Sequence, residues 1–124
     1  LEIRKEAKLP LAIKGIFSEK DIEIVKEVKP EIAIVSNHGG RIDRRIQSSA
    51  EFLKLYRNEI ARYSGEVWVD GGIRTYQDVM VATFLGAKEI LIGRPIISAM
   101  VRGGKEKRKE EVKNFVKSLM GEPK

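Results

Sequence analysis

The chain alternates short apolar runs with longer stretches in which apolar residues recur every three or four positions. The runs are "LPLAIKG" from Leu9, "EIAIVSN" from Glu31, "EVWVDGG" from Glu66 and "EILIGR" from Glu89. Each is brief and rich in β-branched residues, the pattern expected of strands buried on both faces of a parallel sheet. The stretches between them predict helices. Ser18 with Asp21, and Thr75 with Asp78, have the spacing of N-terminal capping boxes. A middle helix near Ser49 to Tyr63 sets Phe52, Leu53, Tyr56, Ile60 and Tyr63 on one stripe. Gly86 is expected to end the third helix. A last helix, roughly Lys105 to Met120, is expected to face Val112, Phe115, Val116 and Leu119 inward and to stop at Gly121.

An internal repeat supports this order. "GIFSEKDIEIV" starts at Gly15 and "GIRTYQDVMVA" starts at Gly72, an offset of 57 residues. At that offset Ser18 meets Thr75, Asp21 meets Asp78, Val28 meets Leu85, and "AIVS" meets "ILIG". The register survives from strand end through helix into the next strand, as duplicated βαβ units would give. The fold class is therefore α/β, with four βα units that make half of a (β/α)8 barrel or a small open sheet. At 124 residues the chain (1–124) reads as a single domain. A whole barrel typically takes about 250 residues.

Composition narrows the function classes. Hydrophobic residues are 42% and charged residues 34%, which suits a soluble globular chain. No apolar run approaches the ~20 residues of a membrane span. The opening "LEIRKEAKLP" lacks a methionine, which points to a processed or excised segment. There is no cysteine, so disulfides and thiolate metal sites are excluded and a cytoplasmic setting fits. Abundant Lys, Glu, Arg and Ile without Cys resembles hyperthermophile composition. Net charge is +6, much of it in "RGGKEKRKEEVK" from Arg102. Glu106, Glu110 and Glu111 interrupt that run and no aromatic residues interleave with it, so a solvated mixed-charge helix start is favoured over a nucleic-acid tail.

Candidate chemistry stands at the strand ends, where parallel α/β folds bind ligands. The first strand ends in Lys14-Gly15, the second in Ser36-Asn37-His38-Gly39-Gly40-Arg41, the third in Asp70-Gly71-Gly72-Ile73-Arg74, and the fourth in Gly93-Arg94-Pro95. The last two mouths serve either ordinary turns or a phosphate. Two glycine-rich mouths in consecutive units, each with an arginine, favour the phosphate. His38, the only histidine, either satisfies a loop or acts as a general base near neutral pH. Arg41 is suited to hold a carboxylate in a bidentate grip. No second His or Cys exists to join His38 on a metal. Lys14 either snorkels at the rim or faces an anion in the mouth.

"LPLAIKGI", "IVSNHGGR", "DGGIRTYQDVMVA" and "LGAKEILIGRP" occur in the order and spacing of the FMN-dependent α-hydroxy-acid oxidases and dehydrogenases, the family of glycolate oxidase, lactate oxidase and flavocytochrome b2. The resemblance covers about residues 9–104, and "SNHGGR" is its most specific part. It implies the C-terminal half of a (β/α)8 TIM barrel with FMN at the strand C-termini, oxidising a 2-hydroxy acid such as lactate or glycolate to the 2-oxo acid. It further implies that His38 takes the substrate proton and Arg41 binds the substrate carboxylate. Lys14 then lies near flavin N1, while Ser36, Asp70, Gly72, Arg74, Gly93 and Arg94 hold the flavin, the two arginines near its phosphate. "GGRIDRR" departs from the family pattern: it is shorter by about one residue, and Arg44 and Arg45 replace small residues. The segment after Gly104 is also shorter and more charged. The family's first half, with its substrate-facing tyrosines and the histidine's aspartate partner, has no counterpart here. The chain alone is therefore expected to show no substantial turnover. The alternative is a non-catalytic half-barrel that binds FMN or phosphate, self-associates, or pairs with an N-terminal half.

Overall fold

The computed structural model describes residues 2–38 and 48–122. Its elements are α1 (Glu2–Ala7), β1 (Ala12–Ile16), α2 (Glu19–Val28), β2 (Ile32–Ser36), α3 (Ser49–Tyr63), β3 (Glu66–Asp70), α4 (Tyr76–Phe84), β4 (Ile90–Leu91), α5 (Arg94–Gly103) and α6 (Arg108–Leu119). The strands form one sheet in the order β1-β2-β3-β4, every pair parallel. β2 and β3 pair without slippage from Ile32 opposite Glu66 to Ser36 opposite Asp70. Between β1 and β2 the register shifts at Gly15.

The core lies on one face of the sheet. Ala33, Val35, Val67 and Val69 point into it and meet Ile22 and Val25 of α2, Phe52, Leu53 and Ile60 of α3, Ala82 of α4 and Leu119 of α6. Phe52 stacks on Phe17 with centroids 5.0 Å apart and touches Tyr56 at 4.7 Å. Each fully buried Leu, Ile or Phe here contributes about 1.5–3 kcal/mol. The opposite face carries the alternate residues, among them Lys14, Ile34, Ser36, Trp68 and Asp70. The expectation of strands buried on both faces holds for β2, where Ala33, Ile34, Val35 and Ser36 are all buried, and is corrected for two others: β3 alternates, with Val67 and Val69 buried and Glu66 exposed, and most of β1 is exposed or half-buried.

The repeat seen in the sequence is a repeat of hydrogen bonds. Ser18 and Thr75 cap α2 and α4 by accepting the N–H groups of Asp21 and Asp78. In return Asp21 accepts the Phe17 N–H at 3.0 Å and Asp78 accepts the Arg74 N–H at 2.9 Å. α3 has its own capping box between Ser48 and Glu51. Two further helices were not anticipated. The first is α1, which buries nothing and is tied down by Arg4, whose guanidinium pairs with Glu31 and donates to the carbonyls of Val28 and Lys29. The second is α5, which begins where the fourth strand was expected to end; Pro95 fits its first turn, where no N–H is needed. The expected final helix is accordingly α6, three residues shorter at its start, and Val116 is exposed rather than inward.

The two halves of the repeat end their helices differently. Gly86 takes positive φ after α4, whereas its counterpart Lys29 is forced into the same left-handed region, φ 50° and ψ 62°, after α2. A side chain there costs energy that glycine avoids. Lys29 is exposed, so Lys29→Gly is expected to raise stability by about 0.5–1 kcal/mol. Thermal unfolding should show a midpoint higher by roughly 2–6 °C.

Candidate functional site

Because all four strands run the same way, their C-terminal ends share one rim. A cleft of about 170 Å³ opens there, lined by Lys14, His38, Asp70, Arg74 and Arg94 together with the glycine-rich ends of β3 and β4. It gathers Lys14, Asp70, Gly72, Arg74, Gly93 and Arg94, six of the seven residues expected to face a cofactor, and also His38. The seventh, Ser36, is fully buried and hydrogen-bonded to Lys14 and Asp70 of this lining. Arg41, with Gly39, Gly40, Asp43, Arg44 and Arg45, lies outside the described residues.

The wall of the cleft is a hydrogen-bonded knot across three strands. Lys14 Nζ forms an ion pair with Asp70 Oδ2 and donates to Ser36 Oγ at 3.3 Å. Ser36 Oγ donates to Asp70 Oδ2 at 3.2 Å. Ser36 and Asp70 are register partners at the ends of β2 and β3. On β1, Lys14 stands opposite Ile34, two residues before Ser36 on the same face, and the register shifts just after it. This pairing was not legible from the residue types, because three residues far apart in sequence meet only through the register.

Gly15 also makes room for the histidine. Its φ is +97°, and a Cβ placed there would lie 2.6 Å from His38 Nε2. His38 itself has φ +48°, an uncommon conformation for a residue with a side chain. Its backbone N–H donates to Ser36 Oγ at 3.2 Å. The imidazole thus sits against the backbone of β1 while still lining the cleft.

The other side of the cleft fits a phosphate. A Cβ added to Gly72 or to Gly93 would meet no atom within 4 Å, so both glycines face open space. Gly93 precedes α5 and puts no side chain over that helix start, which leaves a surface suited to anions. Arg74 and Arg94 flank it. The Arg74 turn is fixed by Asp78, which accepts the N–H groups of both Arg74 and Thr75 at 2.9 Å. A second, more open hollow of about 510 Å³ adjoins the cleft, sharing Asp70 and Gly93 and floored by Trp68. Trp68 stands two residues before Asp70 on β3, and that spacing alone puts them on one face. Among the described residues no three His, Cys, Asp or Glu side chains cluster to hold a metal ion, and no helix is long and apolar enough to cross a membrane.

Two outcomes follow from this geometry. Gly15→Ala should displace the His38 ring, visible as a large shift of its imidazole NMR signals, and should cost about 1–3 kcal/mol for side-chain crowding and positive φ. Asp78 gives a pH signature. Burial works to raise its carboxyl, but the N–H groups of Arg74 and Thr75, the Thr75 hydroxyl and the Arg74 charge hold it below the usual range. Its contribution is complete above the unfolded carboxylate value and is lost as pH falls through the folded one. Denaturant titrations between roughly pH 5 and pH 2 should therefore show a shallower acid loss in Asp78→Asn than in the parent.

A family model described as FMN-dependent dehydrogenase matches residues 1–122. The 2-hydroxyacid oxidase 2 of Mus musculus is 38% identical over 87% of this chain, which covers 30% of that protein. The L-lactate dehydrogenase (cytochrome) of Saccharomyces cerevisiae is 35% identical over 96% of this chain and 21% of its own length. The crystal structure of mandelate oxidase with benzoyl-formic acid superposes with a TM-score of 0.78 at 31% identity, over 96% of this chain and 35% of that one. The chain thus spans about a third or less of the relatives it matches, and its four βα units are part of a (β/α)8 barrel. By the match of its whole described length and by the motifs at its strand ends, this chain belongs to the FMN-dependent dehydrogenase family.

Proposed function

We propose that this chain carries the flavin-facing and proton-accepting side of an FMN-dependent 2-hydroxy-acid oxidoreductase, acting on a substrate of the lactate or glycolate type. The observation that carries the reading is the single cleft in which His38 and Lys14 face Gly72, Gly93, Arg74 and Arg94. The open space before both glycines, with two guanidinium groups beside it, fits a phosphate, and the adjoining hollow over Trp68 leaves room for a larger group. When bound, FMN takes up the two electrons lost as the hydroxy acid becomes the oxo acid. Arg74, Arg94 and the two glycine mouths hold its phosphate end. Lys14, kept in place by Asp70, sets a positive charge near the ring. His38 accepts a proton from the substrate, and Arg41 grips its carboxylate.

Among the described residues the sheet leaves β1 and β4 unpaired on their outer sides. A complementing polypeptide with the remaining strands, or a second copy of this chain, would cover both edges and complete the substrate pocket. Residues 1–124 act in this reading as one folding unit.

The test is a titration of the purified chain with FMN, followed by flavin fluorescence, with riboflavin alongside. Saturable binding that prefers FMN to riboflavin is expected. Arg94→Ala should weaken it by roughly 10- to 100-fold, since a charge-assisted contact is worth about 1.5–3 kcal/mol. His38→Ala should bind within about twofold of the parent, because its role is proton transfer. Equal affinity for riboflavin, or an Arg94→Ala protein that binds FMN as tightly as the parent, would overturn the phosphate cradle.

A further inference from the structure

We infer that the outer face of α4 is the surface on which two copies of this chain pair. The inference does not depend on the flavin reading. The internal repeat marks this face out. α4 turns Ala82 into the core, packs Val79 against it, and lies between α3 and α6. Tyr76, Gln77, Met80, Val81 and Phe84 are on its exposed side. At the 57-residue offset their counterparts on α2 are Glu19, Lys20, Glu23, Ile24 and Glu27, exposed as well. Four charged residues on one helix thus stand where the other has none. A charged outer face suits water, whereas a helix that is apolar on both faces is built to be covered on both.

The bare area suits a second copy. Phe84 is 89% exposed, Met80 51%, Val81 48% and Tyr76 40%. The Tyr76 ring lies against Gly121, where a Cβ would come within 3.0 Å of it, so Met120, the chain neighbour of Gly121 and 67% exposed, extends the same surface. A large side chain such as phenylalanine buries ~150–250 Å², so these five leave roughly 500 Å² of apolar surface bare, high in the range for any patch on a monomer. Interfaces between identical copies are about 65% apolar, so roughly 500 Å² is the apolar part of the ~800 Å² per partner that a stable dimer buries. Completing the barrel does not supply this cover. Added strands join the sheet at β1 and β4, while the helices on both flanks of α4 are already in this chain. A charged partner would have its charges desolvated and unpaired against a face that holds none. A second α4 face brings none, and a face that meets its own copy about a twofold axis closes at two. On α2 and α3 the exposed Ile24 and Leu55 stand singly among charged residues.

Sedimentation equilibrium of the flavin-free chain between about 1 and 100 μM, where an interface of this size associates, should give twice the chain mass at the upper end. The double variant Met80→Glu, Phe84→Glu gives α4 the residues that α2 carries at the same points. It should weaken dimerisation at least about 100-fold, with circular dichroism unchanged. The chain has no cysteine, so a single introduced one reports its own surroundings. Met80→Cys, at the middle of the stripe, should be joined to its copy by a short bismaleimide, whereas Leu55→Cys should not. That cross-link decides if the double variant does not fold. A monomeric parent overturns the inference. So does a dimer that survives the double variant, which would put the contact at the sheet edges, and so does a Met80→Cys protein that cross-links no better than Leu55→Cys. If a monomeric parent sediments with phosphatidylcholine vesicles and the double variant does not, the face belongs to a lipid surface instead.

Discussion

Parallel neighbours cannot be joined by a tight hairpin, so each step from one strand to the next has to cross back over the sheet, here through a helix. Three such crossings, all packed on one side, dictate most of this molecule. They place the core between sheet and helices, where Val35, Val69, Phe52, Leu53 and Ile60 are dry. They also bring every strand to its end at the same rim. Residues separated by tens of positions, such as Lys14, His38, Asp70 and Arg94, become neighbours there because the strands that precede them pair side by side. The chemistry of the rim is thus a product of strand direction before it is a product of side-chain choice.

At the rim, ordinary residues are held in unusual places. Lys14 pairs with Asp70 just before β1 shifts register at Gly15, and His38 sits where it does because that glycine lacks a Cβ. The cost in regular pairing is small because, among the described residues, β1 has a neighbouring strand on one side only. The phosphate-like side is built differently, from helix caps: Asp78 fixes the Arg74 turn as Asp21 fixes Phe17 at the equivalent point of the other unit.

Much of this was legible in the residues. Local signals survived best. Ser18, Thr75 and Gly86 mark the helix ends they were expected to mark, and α3 spans the expected Ser49–Tyr63 because its apolar stripe is strong. The strand-end motifs "KG", "DGGIR" and "GRP" all reached one cleft. What the sequence could not carry was anything set by register or by a missing neighbour. The Lys14–Ser36–Asp70 knot needs the pairing of β2 with β3. The half-wet faces of β1 and β3 follow from helices on one side only, which apolar runs do not reveal. α5 was hidden because Gly93-Arg94-Pro95 reads equally as a turn, and a proline at a first helical turn is silent in a search for helix interiors.

The uncovered face of the sheet has one consequence of its own. Trp68 is the only tryptophan in the chain, and it stands on that face beside the hollow, half-buried, its indole N–H donating to Glu66 at 2.8 Å. The core contains phenylalanine and tyrosine but no indole. Ultraviolet emission excited at the red edge therefore comes from the one surface that a closing partner or a bound ring would dry, so the molecule carries its own optical gauge of how that surface is filled.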